Sequence, residues 1–244
     1  MSDRVVLSVS GPDRVEFLQG LITNDVNRAA GGVIYAALLT PQGKFIADFF
    51  VTGQDDRMLV DVAQSHAATL AQRLMMYKLR AAVQIDQTDL VVSRGTGAPP
   101  SGALADPRHP ALGWRHYGDS DISDATDWDA LRVAHLIPET GIELTPDTYI
   151  LEARFEALHG VDFRKGCYVG QELVARMKHK TELRKGLARV SIDGIAATGD
   201  AITSEGKDVG LLHTVSGNQA IAYLRFDRAT GPMQAGSATI TLTD

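Results

Sequence analysis

The chain has 244 residues, 44% of them hydrophobic and 22% charged. That is enough apolar material for one large or two to three small globular domains, and it excludes a disordered or fibrous chain. The net charge of −6 argues against nucleic acid as a direct partner for the whole surface. No apolar run approaches the roughly 20 residues that span a bilayer, and the opening stretch MSDRVVLSVSGPDR has no signal or transit character. A single cysteine allows no intrachain disulfide and fits a reducing compartment, so the expectation is a cytoplasmic monomer away from membranes.

In chain order, VVLSVS at 5–10 predicts a strand that Gly11-Pro12 stops. Asp13 with Glu16 predicts a capping box opening a helix with Val15, Leu18, Leu21 and Ile22 on one stripe. Strands are expected at 31–40, 45–51 and 58–63, with Pro41-Gln42-Gly43 as the turn of the first hairpin. A helix is expected over 65–78, then strands at 83–86 and 90–94. Hairpin-linked strands with only two long helices imply an antiparallel α+β domain, not a doubly wound nucleotide fold. Residues 95–110, rich in Gly, Pro and Ala, read as a surface connection. Asp127 is placed to cap a helix reaching about 137, before Pro138. From Gly186 onward, five short strand-like runs separated by Gly turns imply a small closed barrel or sandwich.

Several chemistries find no support. Gly95-Thr96-Gly97 lacks the third glycine and the strand-to-helix setting of a dinucleotide loop, and there is no phosphate loop and no zinc-protease helix. The scattered histidines suggest no metal site, and one cysteine cannot hold an iron–sulfur cluster unaided.

The informative segment is VDFRKGCYVGQELVARMKHKTELRK at 161–185. Cys167 lies between Gly166 and Gly170, close after Arg164 and Lys165, and a short helix is expected from about Gly170 to Met177. Cations and the positive end of a helix favour thiolate over thiol, so Cys167 has the setting of a reactive thiol. A buried structural cysteine is the alternative on local chemistry alone. The flanking glycines suit close approach of a ligand to the backbone. Between 163 and 185 stand seven Lys or Arg against two Glu, a local balance of +5 that leaves −11 for the rest of the chain. Such an island can hold an anion or simply form a solvated helix face.

Lys165-Gly166-Cys167-Tyr168-Val169-Gly170-Gln171-Glu172 resembles the K-G-C-[FY]-x-G-Q-E signature of the YgfZ family, and Arg176 matches the arginine of the V-A-R that follows it. Phe17-Leu18-Gln19-Gly20 with Thr23, Asn24 and Asp25, Leu39 to Lys44 with Asp48, Asp106-Pro107-Arg108 with Gly113-Trp114-Arg115, and Arg132 with Ile137-Pro138 resemble further family elements. The resemblance thus spans nearly the whole chain. That family is similar in turn to the glycine-cleavage T-protein. The kinship implies an α+β architecture of three domains ringed around a central folate cavity. They would comprise an N-terminal folate-binding domain at 1–95, a second α+β domain at 96–183 and a C-terminal β-barrel at 184–244. It implies tetrahydrofolate or a one-carbon derivative as cofactor, iron–sulfur client proteins as partners, and an effect on tRNA modification through one client.

The resemblance assigns Cys167 as the reactive residue and Asp48 as the acid or base. It assigns Lys165, Gly166, Tyr168, Gly170, Gln171, Glu172, Arg176, Asn24 and Asp48 to the ligand. Strand alternation also allows Asp48 to lie on a wet face, with Ile46, Phe49 and Val51 in the core. Three departures from the pattern stand out. Ala47-Asp48 replaces the paired aspartates of the T-protein, no Glu occurs in 104–117, and Lys180-Thr181 replaces a glycine. The alternative functions are folate-dependent aminomethyl or other one-carbon transfer, and a non-catalytic docking scaffold.

Overall fold

The structure, a computed structural model, describes residues 3–179 and 182–243, so the Lys180-Thr181 departure lies outside the described residues. Two compact units compose the chain, one of residues 1–126 with 155–175 and the other of 127–154 with 176–244.

The frame of the first unit is an antiparallel sheet of β1 (Arg4–Ser10), β2 (Val33–Leu39), β3 (Phe45–Gln54), β4 (Arg57–Ala63) and β5 (Gln84–Gln87), in the order β2-β3-β4-β1-β5. The period of two sorts its side chains onto two faces, and both are buried. Ala36, Leu38, Ala47, Phe49, Val51, Val60 and Val62 form one core with Phe17 and Leu18 of α1 (Arg14–Gln19) and Leu70 and Leu74 of α2 (Gln64–Lys78). The other face carries a cross-strand row in which Tyr35 pairs with Phe50 and Phe50 with Asp61. Asp48 stands on this second face and is 5% exposed, which corrects the wet-face expectation.

A second antiparallel sheet explains how that face tolerates carboxylates. It consists of β6 (Val91–Gly95), β7 (Leu104–Ala105) and β8 (Trp114–Gly118) in the order β6-β8-β7, and Val92, Leu90 and Tyr117 pack on Val6 and Leu59. Arg115 of β8 is 1% exposed. It donates to Asp61 at 3.1 Å through Nε and lies 3.7 Å from the Phe50 ring centroid. Arg4 and the Tyr117 hydroxyl also bind the Asp61 carboxylate. Burial raises the Asp61 pKa, but Arg115 and Arg4 outweigh it and hold the carboxyl below its ordinary value. Arg108 grips Asp106 with two bonds of 3.0 and 2.9 Å. The stretch 95–110 is therefore not a plain surface connection: β7 and this buried turn are built from it.

The Asp13 capping box does not form. Asp13 precedes α1 without a side-chain cap, and its carboxylate accepts the Ala82 N–H at 2.7 Å instead.

In the second unit, α3 (Trp128–His135) is capped by Asp127, which accepts from the Ala130 N–H at 3.0 Å, as its sequence predicts. Arg132 of α3 is 3% exposed and pairs with Asp129 at 2.9 Å, with Glu139 at 3.1 Å and with Glu143. It also donates to the Thr214 hydroxyl at 3.0 Å. Thr214 belongs to β11 of a closed antiparallel barrel. The barrel comprises β9 (Lys185–Asp193), β10 (Ala201–Ser204), β11 (Lys207–Ser216), β12 (Gln219–Arg225), β13 (Met233–Ala235) and β14 (Ala238–Leu242), in the order β10-β11-β12-β9-β14-β13. The strand missing from the sequence reading is β13, too short to show alternation. Closure leaves no sheet edge to protect.

Asp61→Asn removes the carboxylate that Arg4 and Arg115 share and leaves buried Arg115 only Asp106 at 3.5 Å, and it is expected to destabilise the first unit by about 3–5 kcal/mol. Urea unfolding followed by Trp114 fluorescence in a Trp128→Phe background measures it. A loss below about 1 kcal/mol contradicts the hub role.

Candidate functional site

Residues 155–175 belong to the first unit although residues 127–154 of the other unit intervene. A set of polar and aromatic contacts holds them there. Phe155 stacks on Tyr35 with ring centroids 4.9 Å apart. The Thr23 hydroxyl donates to the Gly160 carbonyl at 2.6 Å, and the Asp162 N–H donates to the Thr23 carbonyl at 3.0 Å. The Asn24 amide donates to the carbonyls of Tyr35 and His159, each at 2.7 Å. Asn24, assigned above to the ligand, is thus buried and spent on two main-chain acceptors.

Lys165 behaves likewise. Its ammonium is buried, donates to the carbonyls of Gln19 at 2.7 Å and Ile22 at 2.5 Å, and lies 4.9 Å from the Tyr168 ring centroid. Burial pushes its pKa down to about 8, against the pull of Asp25 and Asp162. Lys165 thus anchors the segment to the end of α1 and the loop after it. Tyr168 is buried with it, and burial pushes the phenol upward.

Between these two anchors the chain turns outward. Gly166 and Cys167 are exposed, so the thiol stands in solvent on a backbone clamped on both sides. The buried alternative for Cys167 therefore fails. The positive neighbour on the solvent side is Arg164, whose side chain is largely exposed.

The two glycines differ in purpose. A Cβ at Gly166 meets nothing within 4 Å, leaving the open space that the sequence suggested. Gly170 has φ +84°, and a Cβ there falls 2.7 Å from the Thr40 carbonyl oxygen. Close packing on the β2–β3 turn by itself requires a glycine here. The helix α4 (Gln171–His179) starts past the thiol, with Glu172 in its first turn and Arg176 in its last. Asp48 accepts a hydrogen bond of 2.9 Å from the Tyr35 hydroxyl, and burial with the Asp48 charge raises that phenol well above its ordinary pKa.

The second unit holds an open cavity of about 700 Å³ lined by Met177, His179, Glu182, Arg184, Lys185, Arg225, Asp227 and Glu152, with Leu183. Lys185 lies 3.8 Å from Glu152, which also accepts from the Tyr223 hydroxyl at 2.8 Å. Part of the basic island therefore faces a hollow, but beside three carboxylates. Glu152, Arg225 and Asp227 were invisible as site residues in the sequence, since only barrel closure gathers them. Among the described residues no group of three or more His, Cys, Asp and Glu could hold a metal ion.

Comparison with known proteins agrees with this architecture. Residues 1–93 match the GCVT N-terminal domain and 184–244 the CAF17 C-terminal beta-barrel domain. The glycine cleavage system aminomethyltransferase T of Bartonella henselae has the same fold, with a TM-score of 0.80 over 99% of this chain and 83% of that one, at 14% identity. The mixed α+β domains with a six-stranded C-terminal barrel are thus a T-protein fold.

A mitochondrial iron–sulfur cluster assembly factor IBA57 homolog of Neurospora crassa is 32% identical over 76% of this chain, and human mitochondrial IBA57 is 29% identical over 96%. The chain spans 51% of the Neurospora protein, 55% of the Mycosarcoma maydis one and 78% of the human one. These names contradict the cytoplasmic expectation: the relatives are mitochondrial. A lone thiol marks a reducing compartment and does not separate cytosol from an organelle matrix.

Two outcomes test the clamp. Gly170→Ala should cost about 2 kcal/mol or more in urea unfolding, while Gly166→Ala stays within about 0.5 kcal/mol. The Lys165 ammonium has a pKa near 8 folded against 10.5 unfolded, so the unfolded state binds more protons between those values. Stability relative to Lys165→Met should therefore rise as pH climbs through that window. A flat or falling difference contradicts the buried placement.

Proposed function

We propose that this chain is a YgfZ-type factor that assists assembly or repair of iron–sulfur proteins, with Cys167 as the acting thiol and tetrahydrofolate or a one-carbon derivative as ligand. The observation that carries the reading is the exposed Cys167 held between buried Lys165 and Tyr168. A thiolate is a soft ligand for iron, and one thiol needs further ligands from a client or carrier to hold a cluster. The relatives named as IBA57 iron–sulfur cluster assembly factors support the same role. An effect on tRNA modification would follow through an iron–sulfur client, without direct contact to RNA.

Folate binding is supported by the T-protein fold and by the cavity of the second unit. About 700 Å³ is in the range of small-molecule sites. Carboxylates at Glu152 and Asp227 suit the N–H donors of a pterin, and Arg184, Lys185 and Arg225 suit the carboxylates of its glutamate tail. These residues, more than buried Asn24, Lys165 and Tyr168, are the proposed ligand set.

One-carbon transfer is less well supported. A transferase needs an acid or base open to its ligand. Asp48 is 5% exposed, bonded to Tyr35, and has Ala47 in place of a second aspartate.

Calorimetry should show tetrahydrofolate binding that Arg225→Gln weakens about tenfold, the loss of about one charge-assisted hydrogen bond. Cys167→Ala should bind folate unchanged yet fail to restore iron–sulfur enzyme activity in cells lacking the chain. Absence of binding at millimolar ligand removes the folate reading, and full restoration by Cys167→Ala removes the thiol.

A further inference from the structure

Helix α2 gives one apolar stripe to the core and leaves further apolar side chains exposed at its C-terminal end. Ala67, Leu70 and Leu74 are buried against the sheet. Across the helix, Met75 is 51% exposed, Met76 60%, and Leu79, just past its end, 88%. Exposed single apolar residues are ordinary, but three adjacent at a helix end form a patch.

The backbone at Leu79 adds an independent sign. Its φ is +41° and its ψ −103°, a conformation that residues bearing a Cβ rarely adopt. Burial of the side chain would ordinarily offset such strain, and here the side chain is in water. A strained residue displaying an apolar group to solvent is the pattern of a contact point kept for something outside the chain.

Charge states what that something is. From Gln64 to Gln84 the sequence has Arg73, Lys78 and Arg80 and no Asp or Glu, in a chain of net charge −6. Arg73 and Arg80 are exposed and Lys78 partly so. Among the described residues no carboxylate forms an ion pair with any of the three. The patch is thus an apolar centre with a cationic rim.

We propose that the C-terminal end of α2, with Met75, Met76 and Leu79 as anchors and Arg73, Lys78 and Arg80 as rim, docks an acidic amphipathic helix of a partner protein. Apolar residues of the partner at helical spacing meet the thioethers, whose flexible chains adapt to a shaped surface. Its carboxylates meet the rim and set orientation. An anionic membrane is the poorer match. Surface-lying helices present Trp or Phe with longer basic faces, and polybasic lipid sites use clusters of about 4–8 cations. Here three cations rim a short patch without exposed aromatics, and only the face of Ala67, Leu70 and Leu74 is committed to the core.

Fluorescence anisotropy with a labelled peptide of Leu and Glu at amphipathic helical spacing tests this, beside a Leu/Lys counterpart and vesicles of phosphatidylcholine with phosphatidylglycerol. The Leu/Glu peptide should bind, more weakly as salt rises. Its affinity should fall about tenfold or more in Met75→Glu/Met76→Glu and in Arg73→Glu/Lys78→Glu, with circular dichroism unchanged. Leu79→Gly should bind several-fold more weakly while melting at a higher temperature, because glycine accepts the positive φ. No binding, a preference for the Leu/Lys peptide, equal affinity in all variants, or retention of the chain by the vesicles overturns the proposal.

Discussion

The arrangement of the site rests on the clamp that Thr23, Asn24 and Lys165 place on the segment returning at 155–170. Each of the three donates to main-chain carbonyls at the junction, and a buried carbonyl left unpaired is costly. The segment contains no regular element of its own, so side-chain donors do the work that a strand ladder does elsewhere. Lys165 is the expensive member, since burial lowers the pKa of its ammonium. What results is a rigid pair of anchors with Gly166 and Cys167 standing out between them.

A second theme is the buried arginine hub, one in each unit. Arg115 joins Asp61 to the Phe50 ring and ties the three-stranded sheet to the five-stranded one. Arg132 gathers Glu143, Glu139 and Thr214 and ties the region after α3 to the barrel strand β11. Such ion pairs contribute less to net stability than their number suggests, because desolvation offsets attraction, but removing one partner is severe. The D-P-R and G-W-R elements therefore serve architecture, with Asp106 and Arg108 gripping each other and Arg115 facing inward.

These constraints separate two chemistries that a T-protein fold could host. An exposed thiol on a fixed backbone suits exchange with a partner macromolecule, which needs access above all. Acid–base work on a bound one-carbon unit needs an ionisable group open to a ligand, and Asp48 is instead buried and bonded to the Tyr35 hydroxyl. The unit holding Cys167 and the unit holding the cavity of mixed charge are built from different stretches of the chain, so the proposed thiol chemistry and ligand binding are open to mutational separation.

Much of this was legible in the sequence. Strand alternation, the Pro41-Gln42-Gly43 turn, the Asp127 cap and the Gly-punctuated C-terminal runs each report a local preference, and the structure keeps them. The K-G-C-Y-V-G-Q-E segment located the thiol and its exposure-prone glycine. Tertiary structure alone decided where polar side chains point. Asp13 abandoned its cap for the Ala82 N–H, Lys165 took two carbonyls distant in sequence, and Asp48 went to a buried face. It also folded 104–105 and 114–118 into a sheet, and gathered Glu152, Arg225 and Asp227 around one hollow. The reason is physical: local propensity is set by neighbours in sequence, whereas a buried charge takes whatever partner the closed fold brings within hydrogen-bond reach.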